Sequence, residues 1–317
     1  MNELRALERL REVARRQHKA IATEQVYSFW LRKYMAAVRQ MPNSISSEQK
    51  MERFLTELAT KHDVAASTQN QAFNAILFFY RDVLGIKLND IDSLRAVRPA
   101  HVRTCPSRQD TLRLLDAIKD IGGYPTNLAT RLLYGCGLRV SEAVSLRVKD
   151  LKLDRSELFI MGAKGGKDRV VKLPCSLTSA LTQQVDFARH VWRKDALNKL
   201  PIQLPHQLAK KYPEMEFNFG WAWLFPLRYP CADPRTGRMV RWHMLTDSIQ
   251  RAVKEARRRT GIMAVPHELR HAYATHSLDR GVNMKALSEA MGHKQIETTA
   301  GYCHATALSV PSPLDTQ

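Results

Sequence analysis

Residues 157–174 read ELFIMGAKGGKDRVVKLP. ELFIMG and RVVKLP are short runs of β-forming residues, and AKGGKD between them has the glycines of a hairpin turn. The stretch predicts two antiparallel strands. Its surroundings have helical periodicity instead: SLTSALTQQVDFARHVW from Ser176, TDSIQRAVKEARRR from Thr246, HELRHAYATHSLDR from His267, MKALSEAMG from Met284 and KQIETTAGYCHA from Lys294. The fold class expected is mainly α with a small antiparallel β-sheet.

Upstream of the hairpin, Ser107 and Asp110 are placed to cap a helix carrying Leu112, Leu115 and Ile118, so a second domain begins at 107. The first domain reads as helices only. TEQVYSFWLRKYMAAVRQ puts Val26, Phe29, Trp30 and Tyr34 on one face. Ser46 and Gln49 have capping-box spacing ahead of MERFLTELATKH. Ser67 opens a helix that stops at Gly85. Its aromatic run, Phe73, Phe78, Phe79 and Tyr80, reads as helix-packing core rather than a base-stacking platform. Periodicity lapses after Gly85, and Pro99, Pro106 and scattered arginines mark a linker. The division expected is 1–90 helical, 91–106 linker and 107–317 the second domain.

Lysine and arginine number 49 against 31 aspartates and glutamates, a formal charge of +18 over 317 residues. An excess of that size favours a polyanion, since each cation near a phosphate releases a counterion. No apolar run is long enough to span a membrane, and the charged N-terminus lacks the apolar core of a signal peptide. Five scattered cysteines (105, 136, 175, 231 and 303) fit neither a disulfide framework nor a cysteine zinc site. These features lead us to expect a reduced, cytoplasmic protein. Residues 200–243, rich in proline and aromatics, form an irregular stretch long enough to suggest a functional role.

Four patches carry candidate chemistry. GCGLRVSEAVSL holds Arg139 after a glycine, with Glu142 one turn on; AKGGKDR holds Lys164; HELRH sets His267 and Arg270 on one helical face; MGHKQIETTAGYCH holds His293 and Tyr302. Taken singly, these are an ordinary surface arginine, a solvated lysine, packed histidines and a core tyrosine. In combination and order they resemble the tyrosine recombinases, whose signature is Arg, Lys, His-x-x-Arg, His or Trp, then Tyr. His293 stands 23 residues after Arg270 and Tyr302 nine after His293, the spacing of bacterial members, and the resemblance covers nearly the whole chain.

The resemblance implies a C-shaped clamp on DNA, with a helical SAM-like core-binding domain and a mixed catalytic domain. It also implies roles. Arg139 and Arg270 hold the non-bridging oxygens of a DNA phosphodiester, where charge builds in the transition state. His267 and His293 donate hydrogen bonds or move a proton. Tyr302 displaces the 5′-oxygen to form a 3′-phosphotyrosine link. Lys164 protonates the leaving 5′-hydroxyl, and Glu142 orients an arginine or histidine. The link conserves the phosphoester energy, so resealing needs no nucleotide, metal or other cofactor. Four exchanges in a homotetramer, assembled on DNA from chains monomeric in solution, complete a recombination in association with the nucleoid.

HELRH also matches H-E-x-x-H, the zinc metalloprotease motif. Pro266 directly before His267 starts a helix where a protease zinc helix would continue upstream, and position 277, the metzincin place for a third histidine, is Ser277. A DNA-binding protein with a dead site is the other rival, and the intact six-residue set speaks against it.

A narrower resemblance is to the integron integrases. LPHQLAKKYPEME, WLFP, DPRTG and RMVRWH stand in the order of that family's additional segment, at about 200–243. Such enzymes move gene cassettes between a duplex attachment site and a site folded from one strand, whose displaced bases a protein packs against. Trp221, Pro234, Trp242 and His243 are the residues expected to do this, with Trp223 packing the insertion onto its domain. The chain departs from the family in having Trp242-His243 where two histidines are common, Cys303 after the nucleophile, and a shorter tail. A phage-type integrase or a chromosome-dimer resolvase is the alternative within the recombinases.

Overall fold

The computed structural model describes residues 2–89, 91, 96, 105–161 and 168–292. The chain divides into two compact units, Met1–Val102 and Arg103–Gln317, each with its own core.

The first unit is helical: α1 (Glu3–Arg16), α2 (Ile21–Val38), α3 (Ser47–Thr60) and α4 (Ala66–Phe78). Apolar positions repeating at helical spacing turn Leu7, Leu10, Trp30, Leu31, Tyr34, Phe54, Phe73 and Ile76 inward. The Ser46–Gln49 capping box forms in both directions, at 3.2 and 3.0 Å. Phe73, Phe78, Phe79 and Tyr80 are buried, as a packing run should be, and the Tyr80 hydroxyl meets that of Tyr34 at 2.9 Å. Phe29 departs from expectation. It is 46% exposed with the Lys33 ammonium 4.9 Å from its ring, because it lies at the edge of the buried stripe. The fourth helix starts at Ala66 rather than Ser67 and closes in a π-helical turn, Phe79–Leu84, before left-handed Gly85.

The second unit opens with α5 (Arg108–Ala117), capped by Ser107 through the Asp110 amide at 3.0 Å. Leu115 and Ile118 enter its core, whereas Leu112 is 40% exposed. Helices α6 (Thr126–Gly135) and α7 (Val140–Val144) follow. The hairpin forms as β2 (Glu157–Ile160) against β3 (Arg169–Lys172), antiparallel, with Leu158 opposite Val171. A third strand that sequence patterning missed, β1 (Leu151–Lys152), pairs with β2. Two residues are too few to show an alternation. The rest is α8 (Thr178–Leu197), α9 (His206–Lys211), a second small hairpin of β4 (Cys231–Ala232) and β5 (Met239–Val240), α10 (Thr246–Thr260), α11 (Pro266–Leu278) and α12 (Met284–Met291). Among the described residues no helix is long and apolar enough to cross a membrane. The helix expected from Lys294 lies outside the described residues.

Residues 200–243 are folded rather than irregular. Their backbone joins the domain through the bridge Arg147–Trp223 and is tied to itself by the bridges Ile202–Arg241 and Pro226–His243. The buried Arg241 guanidinium binds both carboxylate oxygens of Asp195 near the end of α8, at 2.6 and 2.5 Å.

Candidate active site

Gly137 makes the sharp turn between α6 and α7. Its φ is +61°, a region that L side chains rarely adopt, and a Cβ there would stand 2.5 Å from the Tyr273 ring. The turn leaves Arg139 at the N-terminal cap of α7. Glu142, at the third position of that helix, accepts the Arg139 amide at 2.9 Å and its guanidinium at 2.7 Å. A second Arg139 nitrogen donates to the Gly292 carbonyl at 3.3 Å.

Arg270 reaches the same place from the middle of α11. Its side chain is 2% exposed, donates to the Gly137 and Met291 carbonyls, and approaches Glu142 to 3.8 Å. Arg139 remains 25% exposed, so it is the more accessible of the two to a ligand. Two guanidiniums far apart in sequence thus converge on one carboxylate. Burial alone would raise the Glu142 pKa, but hydrogen bonds and charge from arginines bring it down to about 2. It is an anion at neutral pH.

One of those arginines was not singled out from the sequence. Arg169 begins β3 and donates to both Glu142 oxygens at 3.1 and 2.7 Å, and to the Ala290 carbonyl at 2.8 Å. A signal was present: strand alternation puts position 169 on the same inward face as Val171, where an arginine needs a buried partner.

His267 and Arg270 share a helix but not an environment. His267 is exposed in the first turn, its ring edge-on to buried His271 at 4.3 Å between centroids. His267 and Val140, the neighbour of Arg139, line one open cleft together with Ile121, Val253 and Met263. The helix starts at Pro266, as its position suggested, and Glu268 accepts the Val265 amide at 2.7 Å. A carboxylate engaged as a helix cap is poorly placed to activate a zinc-bound water. Among the described residues no group of three His, Cys, Asp or Glu side chains could hold a metal ion. Lys164, His293 and Tyr302 lie outside the described residues; His293 directly follows Gly292, the left-handed cap of α12.

In the insertion, Trp223 is buried, donating to the Arg241 carbonyl at 3.1 Å, and the Arg147 guanidinium stacks 3.6 Å from its ring. Arg147, also missed from sequence, donates to the Trp221 and Gln203 carbonyls at 2.6 and 3.0 Å. Half-buried Trp221 carries the Lys149 ammonium 4.0 Å from its ring centre. The His243 ring packs on Trp223 at 4.8 Å and faces half-buried Trp242 at 5.5 Å. Burial lowers the His243 pKa, aided by the charge of Arg147. Pro234 is exposed in the turn between β4 and β5 rather than in this ring cluster.

Residues 107–308 match the Phage integrase family, and residues 6–90 match the phage integrase N-terminal SAM-like domain. An integrase/recombinase of Escherichia coli is 36% identical over 326 residues, covering 99% of this chain and 94% of the relative. The tyrosine recombinase XerA of Thermococcus onnurineus is 26% identical, covering 91% and 86%. The fold is that of XerH bound to a palindromic difH substrate (TM-score 0.61, 18% identity, covering 92% and 79%). It is also that of the Tn1549 transposon integrase in complex with transposon right-end DNA (TM-score 0.62, 15% identity, covering 94% of each). The chain belongs to the Phage integrase family of tyrosine recombinases, and it is a site-specific DNA recombinase enzyme.

Proposed function

We propose that this recombinase cleaves and rejoins DNA through a 3′-phosphotyrosine link, with Arg139 and Arg270 holding the phosphate and Tyr302 attacking it. The observation that carries the reading is the convergence of Arg139 and Arg270 on Glu142, which holds two planar donor forks against one carboxylate. His267 borders the same cleft as Val140, in keeping with a hydrogen-bond or proton-transfer role there. Lys164 protonates the leaving 5′-oxygen, and His293 assists at the phosphate. The phosphorus–Tyr302 oxygen bond forms as the bond to the 5′-oxygen breaks, and resealing reverses the exchange without a cofactor. Similar structures solved on DNA support DNA as the partner, and the proposed working assembly is a homotetramer.

The finer reading is an integron integrase acting on a duplex attachment site and a folded single-strand site. What supports it is the built insertion, with exposed Pro234 and half-buried Trp242 and His243 presented from a rigid base on Arg147, Trp223 and Arg241. Trp221 takes a base on its ring once Lys149 swings aside.

The nucleophile is tested with a nicked duplex carrying the attachment site. The wild-type chain should leave a covalent adduct that resists denaturant, and Tyr302→Phe, lacking one oxygen, should bind as well and leave none. An adduct with the Phe variant would refute the assignment.

A further inference from the structure

Arg169 has no part in the roles assigned so far, yet its side chain is fully committed at the site. It is 6% exposed, and all three of its guanidinium nitrogens donate: two to Glu142, and Nε to the Ala290 carbonyl. The next two carbonyls of the same helix end, Met291 and Gly292, accept Arg270 and Arg139. Three successive carbonyls at the C-terminus of α12 therefore take three arginines from three different elements, and the same three surround Glu142. The helix end supplies the negative pole, Glu142 the full charge, and only a planar fork can serve both at once. The fit is close: a Cβ on Gly292 would come within 3.1 Å of Arg169 Nη1.

We propose that Arg169 is a positioning residue for strand cleavage: by locking Glu142 to the end of α12 it fixes where Arg139 and Arg270 stand. The inference rests on the function proposed above. Its consequence is that losing Arg169 leaves DNA binding intact and slows the chemical step, because an error of about 1 Å in a reacting group costs roughly 100-fold in rate.

A second readout separates positioning from mere packing. Among the described residues the groups facing Glu142 are Arg139 with its amide at the N-cap of α7, Arg169 from β3 and Arg270 from α11, with Tyr273 of α11 in the field of both Arg169 and Arg270. Without Arg169, burial of Glu142 is less well opposed, so its pKa rises from about 2. The wild-type pKa lies below the unfolded value, so the stability it confers is present above the unfolded carboxylate range and lost as pH falls toward 2. The variant lacks that contribution, and its deficit in stability should shrink as pH is lowered from 7 toward 3.

The experiment uses full-length wild type, Arg169→Lys and Arg169→Gln, on the nicked duplex that gives the wild-type adduct. At saturating protein, Arg169→Gln should form adduct about 100-fold more slowly with unchanged Kd, and Arg169→Lys should fall between. Denaturant unfolding from pH 3 to 7 should show the closing gap for Arg169→Gln, and no gap dependence on pH once Glu142→Gln is present in both backgrounds. Wild-type cleavage rates in both variants, or a gap independent of pH, would overturn the proposal. Absence of adduct from the wild type itself would instead count against the proposed function, and the unfolding series would still decide whether Arg169 sets the state of Glu142.

Discussion

Gly137 concentrates several demands in one residue. Its backbone is left-handed, its carbonyl accepts Arg270, its missing side chain admits the Tyr273 ring, and it aims Arg139 two residues on. Gly137→Ala should therefore cost roughly 1–2 kcal/mol from backbone conformation alone, and more as Tyr273 is displaced. Denaturant unfolding measures the first effect. Adduct formation at saturating protein should fall further than the stability loss accounts for, since both arginines proposed to hold the phosphate are anchored at this turn. A fully active, equally stable variant would show that the turn is tolerant and the anchoring unimportant.

At the scale of elements, the insertion behaves as a part of the domain. The Arg241 guanidinium, between β5 and α10, lies in a two-bond pair with Asp195 of α8 and donates again to the Leu227 carbonyl at 2.8 Å. Both side chains are under 10% exposed. Removing one member strands a buried charge, so Asp195→Ala should cost about 3–5 kcal/mol, read by denaturant unfolding. Truncating both residues should cost less than the two single losses added together. Strict additivity would mean that the pair is not coupled. Local elements such as α3, the β2–β3 hairpin and α11 were legible because each is signalled within a few residues: Ser46 and Gln49 for a cap, paired glycines for a hairpin, Pro266 for a helix start. Nothing local in RMVRWH marks Arg241, because its partner lies 46 positions away in a different pattern.

At the scale of the molecule, the surplus of 18 positive charges makes affinity for any DNA steeply salt-dependent, so recognition of a folded site must be sought in a difference at constant salt. Trp242→Ala should weaken binding to a single-strand hairpin with unpaired bases, by about 1–3 kcal/mol for each base that stacks, while changing affinity for a matched duplex little. A comparison of the two ligands in one buffer checks this. Equal weakening of both would make Trp242 a structural residue, like the buried Trp223, and would remove the main support of the integron reading.

The sequence by itself determined the fold class, the two-part division into a helical unit and a mixed one, and the identities of Arg139, Glu142 and Arg270 as candidates. Periodicity, caps and motif order are local, and a chain carries them openly. Only the tertiary structure decided that Glu142 is the shared partner of three arginines, that Arg169 is one of them, and that Arg147 lies beneath the tryptophans of a folded insertion. The physical reason is that burying a charge requires a partner, and nothing in the spacing of residues 27 or 74 positions apart says which partner the folded backbone will supply.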